Sequence, residues 1–256
     1  MKKSIQTAER VSQQDVSDNY VYQRSVLAYI EAAKRISGNV LEIGTGSGYG
    51  IEILSEKTDQ FLTIDKFGSE VGQREAEARE NVEFRQMNVP PLTGLPDNHF
   101  DFVVSFQVIE HIKKDKEYVK EIHRVLKKGG KFIVTTPNKK MSITRNPWHI
   151  REYKVDELVT VLKKDFSSVE ANGVFGNDTV MKYYKENKAG VRKITRFDIF
   201  QVQWWAPRWV LQVPYDILNR RNRNNLSDKG SHIKLDDYFV AEANDDCFDL
   251  FYIAEK

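Results

Sequence analysis

The sequence predicts an open, mostly parallel α/β sheet with helices on both faces. Two observations carry this, and a third excludes a spanning helix. Short apolar runs of strand length alternate with segments of helical period. The first run opens into VLEIGTGSGYG, Val40 to Gly50, with a glycine at alternate positions. No stretch approaches the roughly 20 apolar residues of a spanning helix.

Taken in order, apolar residues recur at helical spacing from Val16 to Ile36, and Ser37-Gly38 ends that helix. NVLEIG reads as the first strand, apolar enough to be covered on both faces. A helix is predicted from Tyr49 to Lys57, a second strand from Gln60 to Asp65, a charged helix from Glu70 to Arg79 and a third strand in NVEFRQM. FDFVVSF, Phe100 to Phe106, is the clearest strand. A long amphipathic helix follows from Ile109 to Leu126, with Lys127, Lys128 and Gly129-Gly130 as its carboxyl end and left-handed cap. KFIVTTP is the next strand, residues 138–152 are loop, Val155 to Leu162 is a helix, and FSSVEANGVFG and CFDLFYIAE are further strands.

The length of 256 residues suits one domain with an insertion. The expected organisation is a single domain over 1–256, an amino-terminal helical cap over 1–37, and a basic, aromatic helical insertion over 181–234 before the last strand. A net charge of +2 disfavours binding of polyanions by bulk charge. The one cysteine, Cys247, excludes a disulfide within the chain and any cysteine-based metal site, and fits a reducing compartment. The amino terminus lacks the apolar run of a signal peptide, so a cytoplasmic protein is expected.

Glycines between a strand and a helix place free N–H groups at the carboxyl edge of a sheet, where α/β folds bind ligands. Gly44, Gly46 and Gly48 give G-x-G-x-G, whereas the dinucleotide fingerprint needs glycine at the position of Tyr49. Asp65, at the end of the second strand and about 20 residues after the loop, can accept hydrogen bonds from both hydroxyls of a ribose; the other reading is a helix amino-terminal cap. Glu42, inside the first strand, needs a partner for a buried carboxylate. An ammonium-bearing ligand or backbone donors would supply one, and a pyrophosphate would be repelled.

E-x-G-x-G-x-G after the first strand, an acidic end to the second, FDFVVSF and LKKGGKFIVTTPN together resemble a class I S-adenosylmethionine-dependent methyltransferase over roughly residues 20–175 plus the last strand. The resemblance implies a Rossmann-like seven-stranded sheet whose last strand, CFDLFYIAE, is antiparallel. It implies S-adenosylmethionine as cofactor and S-adenosylhomocysteine as product. By position, Glu42, Gly44, Gly46 and Gly48 would line the methionine part and Asp65 the ribose. Asn88, followed by Val89, stands where the family often has an acidic residue that reads adenine, and an amide carbonyl can accept the same bond. Phe106 and Gln107 would pack near adenosine and sulfonium. Tyr20, Tyr22 and Arg24 would close over the methionine end, Arg24 pairing with its carboxylate or else lying on a solvated face.

Such a reaction aligns an acceptor behind the methyl, excludes water, and needs a base for a hydroxyl or protonated amine. His111, in QVIEHI, and His149, in NPWHIREY, are the candidate bases. His111 could instead cap or pack a helix start, and Pro147 and Trp148 could simply pin their loop. No metal site is expected, because no ligand cluster of metal spacing stands in the sequence. NPWHIREY is similar to a stretch in methyltransferases encoded with sugar and polysaccharide genes, which points to a small-molecule, nucleotide-sugar or glycan acceptor. The insertion has four readings: a helical cap with solvated charges, a site for an anionic small molecule, peripheral membrane contact through 196–223, or RNA binding, the last disfavoured by the low charge. Other functional classes are a non-catalytic cofactor-binding scaffold or sensor, an RNA methyltransferase and a nicotinamide-dependent oxidoreductase, the last opposed by Tyr49 and Glu42.

Overall fold

The computed structural model describes residues 15–196 and 202–256. The part of the expected amino-terminal cap before residue 15, and residues 197–201 of the expected insertion and membrane-contact stretch, lie outside the described residues.

After a 3-10 turn at Val16–Asp18 the elements run α1 (Asn19–Ala33), β1 (Asn39–Ile43), α2 (Tyr49–Ser55), β2 (Gln60–Asp65), α3 (Glu70–Ala78), β3 (Val82–Gln86) and β4 (Phe100–Phe106). They continue with α4 (Asp115–Val125), β5 (Leu126–Pro137), α5 (Val155–Leu162) and β6 (Ser168–Gly176). The chain then forms α6 (Asp178–Thr195), α7 (Val202–Trp205), α8 (Arg208–Asn225), α9 (Ser227–Gly230), β7 (Tyr238–Glu242) and β8 (Asp249–Glu255). One sheet has the order β3-β2-β1-β4-β5-β8-β6-β7. The first five strands pair in parallel, as α/β alternation demands, while β8 runs antiparallel between β5 and β6.

The central strands are apolar on both sides because both are covered. One face buries Tyr29, Ile51, Val104 and Tyr183 against α1, α2 and α6; the other buries Tyr118, Ile122 and Leu158 against α4 and α5. Each such side chain contributes about 1.5–3 kcal/mol by leaving water. Helices α1 and α2 touch at Gly50, where a Cβ would stand 1.9 Å from Tyr29 Cε1.

Three expectations need correction. The sheet has eight strands, because β7 adds an antiparallel edge to β6. The helical segment α6–α9 therefore precedes two strands rather than one. The expected helix over 109–126 is a 3-10 turn at Ile109–His111 and a separate α4. The Glu110 carbonyl accepts the N–H groups of Ile150 and Arg151, at 2.7 and 3.2 Å, which diverts it from continuing a helix. Finally, Lys127 to Gly130 lie within β5 and do not cap α4. Gly129 is left-handed at φ +78°, but its N–H donates to Lys256 and forms a strand irregularity against the chain's end. No helix among the described residues is long and apolar enough to cross a membrane.

Candidate active site

Segments after β1, β2, β3, β4 and β5 converge at the carboxyl edge of the sheet on a cavity of about 1700 Å³. An ordinary small-ligand pocket is roughly 300–1,000 Å³, so two molecules fit side by side. Gly44 and Gly46, at φ +100° and +54°, carry the chain from β1 over the cavity floor in a conformation that side chains rarely adopt. A Cβ on Gly46 would find no atom nearer than 3.9 Å, so that side of the loop is open. Asp65 ties the loop down: its Oδ2 accepts from Gly46 N at 2.9 Å and its Oδ1 from Phe67 N at 2.8 Å. It is not the cap of α3, which is Ser69. Each carboxylate oxygen retains capacity for a further donor. Asn88, Val89, Phe106 and Gln107 line the same wall. Gln107 holds φ +57°, a left-handed conformation uncommon for a residue with a side chain.

Glu42 and Gly48 do not face this cavity. Glu42 is buried beneath the loop; Tyr29 Oη donates to its Oε1 at 2.9 Å and Thr63 Oγ1 to its Oε2 at 2.5 Å. Its partners are hydroxyls, not the ligand ammonium or backbone donors expected. Burial raises its pKa to about 7, the two hydroxyls offsetting part of that rise. Gly48 is the left-handed first residue before α2, packed against Val71.

Arg24 reaches the cavity from α1, but it pairs with Asp249 at 2.7 Å rather than lying on a solvated face. Asp249, at the start of β8, was not visible as a site residue. Burial raises its pKa, with Arg24 and a side-chain hydrogen bond with Gln107 offsetting part of the rise. This buried carboxylate beside an arginine suits a ligand end that carries both an ammonium and a carboxylate. Tyr20 stacks on Tyr183 with ring centroids 4.5 Å apart, and Tyr22 and Tyr29 meet Tyr49 edge-on at 5.3 Å.

The two candidate bases come together because the 138–152 loop docks on the break before α4. His111 and His149 lie with ring centroids 5.0 Å apart, and His111 Nδ1 meets the Trp148 carbonyl at 3.0 Å. His149 Nδ1 lies 2.7 Å from Glu152 Oε1, and its Nε2 lies 2.9 Å from the Asn146 amide. Glu152 is held in turn by Ser142 Oγ. A carboxylate at Nδ1 fixes that nitrogen as the donor and leaves Nε2 with the lone pair. Asn146 fits this, since its Oδ1 accepts from Trp148 N and its amide is left to donate. Glu152 carried no signal in the sequence beyond its place in NPWHIREY.

The donor atoms of Glu110, His111 and His149 lie within 4.8 Å of one another. Linear spacing shows no such cluster; the folded loops create it. Glu110 Oε2 accepts from Thr136, while its buried Oε1 makes no hydrogen bond. Burial raises the Glu110 pKa, with His111 and His149 offsetting part of the rise.

A methyltransferase domain family matches residues 41–134. A "probable S-adenosylmethionine-dependent methyltransferase" of Mycolicibacterium smegmatis is 35% identical over 176 residues, covering 66% of this chain and 68% of its own. A Mycobacterium tuberculosis protein of the same description is also 35% identical, over 66% of this chain and 64% of its own length. Among solved structures, the Haemonchus contortus phosphoethanolamine N-methyltransferase 2 in complex with S-adenosyl-L-methionine superposes with a TM-score of 0.56 at 17% identity, over 96% of this chain and 58% of that one. At that identity the likeness is one of fold.

Proposed function

Since this chain belongs to the S-adenosylmethionine-dependent methyltransferases, we propose that its cavity holds the donor over the glycine loop and a small-molecule or sugar acceptor beside His149. S-adenosylmethionine supplies a methyl on a positively charged sulfur. In this reading Gly44 and Gly46 let the backbone approach the donor, Asp65 accepts its ribose hydroxyls, and Asn88 and Val89 meet the adenine. Phe106 and Gln107 pack beside adenosine, and Arg24 with Asp249 takes the amino-acid end near Tyr20. Glu42 and Gly48 shape the loop from beneath. The described residues form a single domain, with helices α6, α7, α8 and α9 as a lid across the acceptor end.

The observation that carries the acceptor reading is the His149–Glu152 pair, 2.7 Å apart on the wall of the donor cavity. His149 Nε2 takes the acceptor hydroxyl's proton when that hydroxyl displaces the Asn146 amide, and Glu152 stabilises the imidazolium that results. His111 holds the loop through Trp148. The test is release of S-adenosylhomocysteine with a panel of nucleotide sugars and other hydroxylated acceptors. His149→Ala should lower turnover by ~10²–10⁴-fold, the usual contribution of general-base catalysis, with donor affinity unchanged. Full turnover in that variant removes His149 from the role of base.

A further inference from the structure

Helix α8 leaves apolar side chains in water while several of its charged ones meet the protein body. A surface helix ordinarily turns its apolar stripe to the core and its charges to water. Arg220 pairs with Asp15 and Asp18 at 2.8 and 3.1 Å, Arg223 with Asp18 at 2.9 Å, and Arg208 donates to the Ile150 carbonyl at 2.6 Å. Asp216 accepts from Trp148 Nε1. Apolar side chains of the same helix meanwhile face water: Trp209, Val213 and Ile217 are 75, 66 and 62% exposed, with Val210 and Leu218 beside them. Trp204 and Trp205, on α7, are 59 and 68% exposed. Trp209, Val213 and Ile217 recur at four-residue steps, so they form one stripe along α8.

We propose that this stripe seats the protein on an anionic phospholipid membrane surface, with the cavity mouth held against the lipid. Three observations favour that occupant. Tryptophan beside arginine is the composition of a helix lying in the membrane interface. The charge is complementary: Arg221 continues the α8 stripe, and the exposed side of α6 carries Lys182, Lys185, Arg192 and Lys193. Helix α6 adjoins α8 through an Asn187–Asn222 hydrogen bond of 2.5 Å. Such a cationic rim attracts anionic headgroups, whereas a second copy of this chain would set like charges together. Moreover, Pro214 and Leu218 belong both to the exposed side of α8 and to the cavity lining, so the mouth and the apolar stripe are continuous.

The proposal goes beyond the acceptor reading and does not depend on His149. The experiment is flotation of the full chain with phosphatidylcholine vesicles containing phosphatidylglycerol, against phosphatidylcholine alone. Binding should require the anionic lipid and weaken several-fold at high salt. Brominated acyl chains should quench tryptophan fluorescence of the unsubstituted protein, which tests insertion without any variant. The triple substitution W209E/V213E/I217E should reduce vesicle binding at least tenfold while calorimetry shows unchanged S-adenosylmethionine affinity. The proposal is overturned by absent flotation, by unquenched tryptophan in the vesicle-bound protein, or by a triple variant that floats as well as its parent. A parent that runs as a dimer, dispersed by the same substitutions, would instead make the stripe an interface between two copies.

Discussion

Glu42→Gln should make the protein less stable at acid pH and more stable above neutrality. The carboxyl is fully buried, and its pKa stands at about 7 against an ordinary value of 4.5. Below pH 4.5 it is protonated in both folded and unfolded chains, and the stability linked to its raised pKa is fully present. As pH rises past 4.5 the unfolded chain ionises first, and stability falls until the folded carboxyl ionises near pH 7. With a pKa unit worth about 1.4 kcal/mol, the loss across that window is about 3 kcal/mol. An amide in the same place never ionises. It must rearrange the hydrogen bonds to Tyr29 and Thr63, at a cost of about 1 kcal/mol at every pH. The variant should therefore be about 1 kcal/mol less stable than the parent at pH 4.5 and about 2 kcal/mol more stable at pH 8. Urea unfolding of both proteins at matched pH measures this. Other titrating groups are common to both proteins and cancel in the difference. A difference that stays constant from pH 5 to pH 8 would refute the raised pKa.

Four further outcomes are expected. Asp65→Ala should weaken S-adenosylmethionine binding by about 1.5–3 kcal/mol, the scale of hydrogen bonds to a charged group; calorimetry reads this, and unchanged affinity removes the ribose role. Gly50→Ala forces a Cβ to 1.9 Å from Tyr29 Cε1, so denaturant unfolding should show a loss of about 1–3 kcal/mol from overpacking. Gln107→Gly relieves a residue held at φ +57° and should raise stability by up to about 1 kcal/mol, with weaker donor binding where the side chain is needed. Because both ring nitrogens of His149 already meet Glu152 and Asn146, turnover should survive treatment with a chelator; activity lost and restored by a divalent cation would assign the Glu110–His111–His149 cluster to metal.

Local signals were legible wherever a residue's partners are its own chain neighbours or a periodic pattern. The glycine loop, Asp65 at the end of β2 and the parallel strands belong to this kind. Signals that depend on distant pairing were not. For Glu42 the sequence points to a ligand ammonium or backbone donors, because its hydroxyl partners lie 13 and 21 residues away. The break before α4 was hidden because 109–126 keeps helical periodicity through it, while the N–H groups that stop the helix come from Ile150 and Arg151. Lys-Lys-Gly-Gly carries a helix-end pattern, yet the carboxyl terminus claims it as strand.

Helix α8 shows the same limit with the opposite consequence. Periodicity places Asp216 and Arg223 on the face of Trp209 and Arg220 on that of Val213, but does not say which of these side chains meets the body. Burying the apolar residues would be the default, and basic ones would read as solvated. The fold departs from this because Asp15 and Asp18 stand where the carboxyl-terminal half of α8 lands. With Asp18 fully buried, detaching α8 would leave that carboxylate without Arg220 and Arg223, a cost of several kcal/mol. The acidic turn therefore anchors α8 at that half, while Trp209, Val213 and Ile217 stay in water. Replacing both acids, as Asp15→Asn with Asp18→Asn, should loosen α8 and lower vesicle binding together, whereas Arg221→Gln should lower vesicle binding alone.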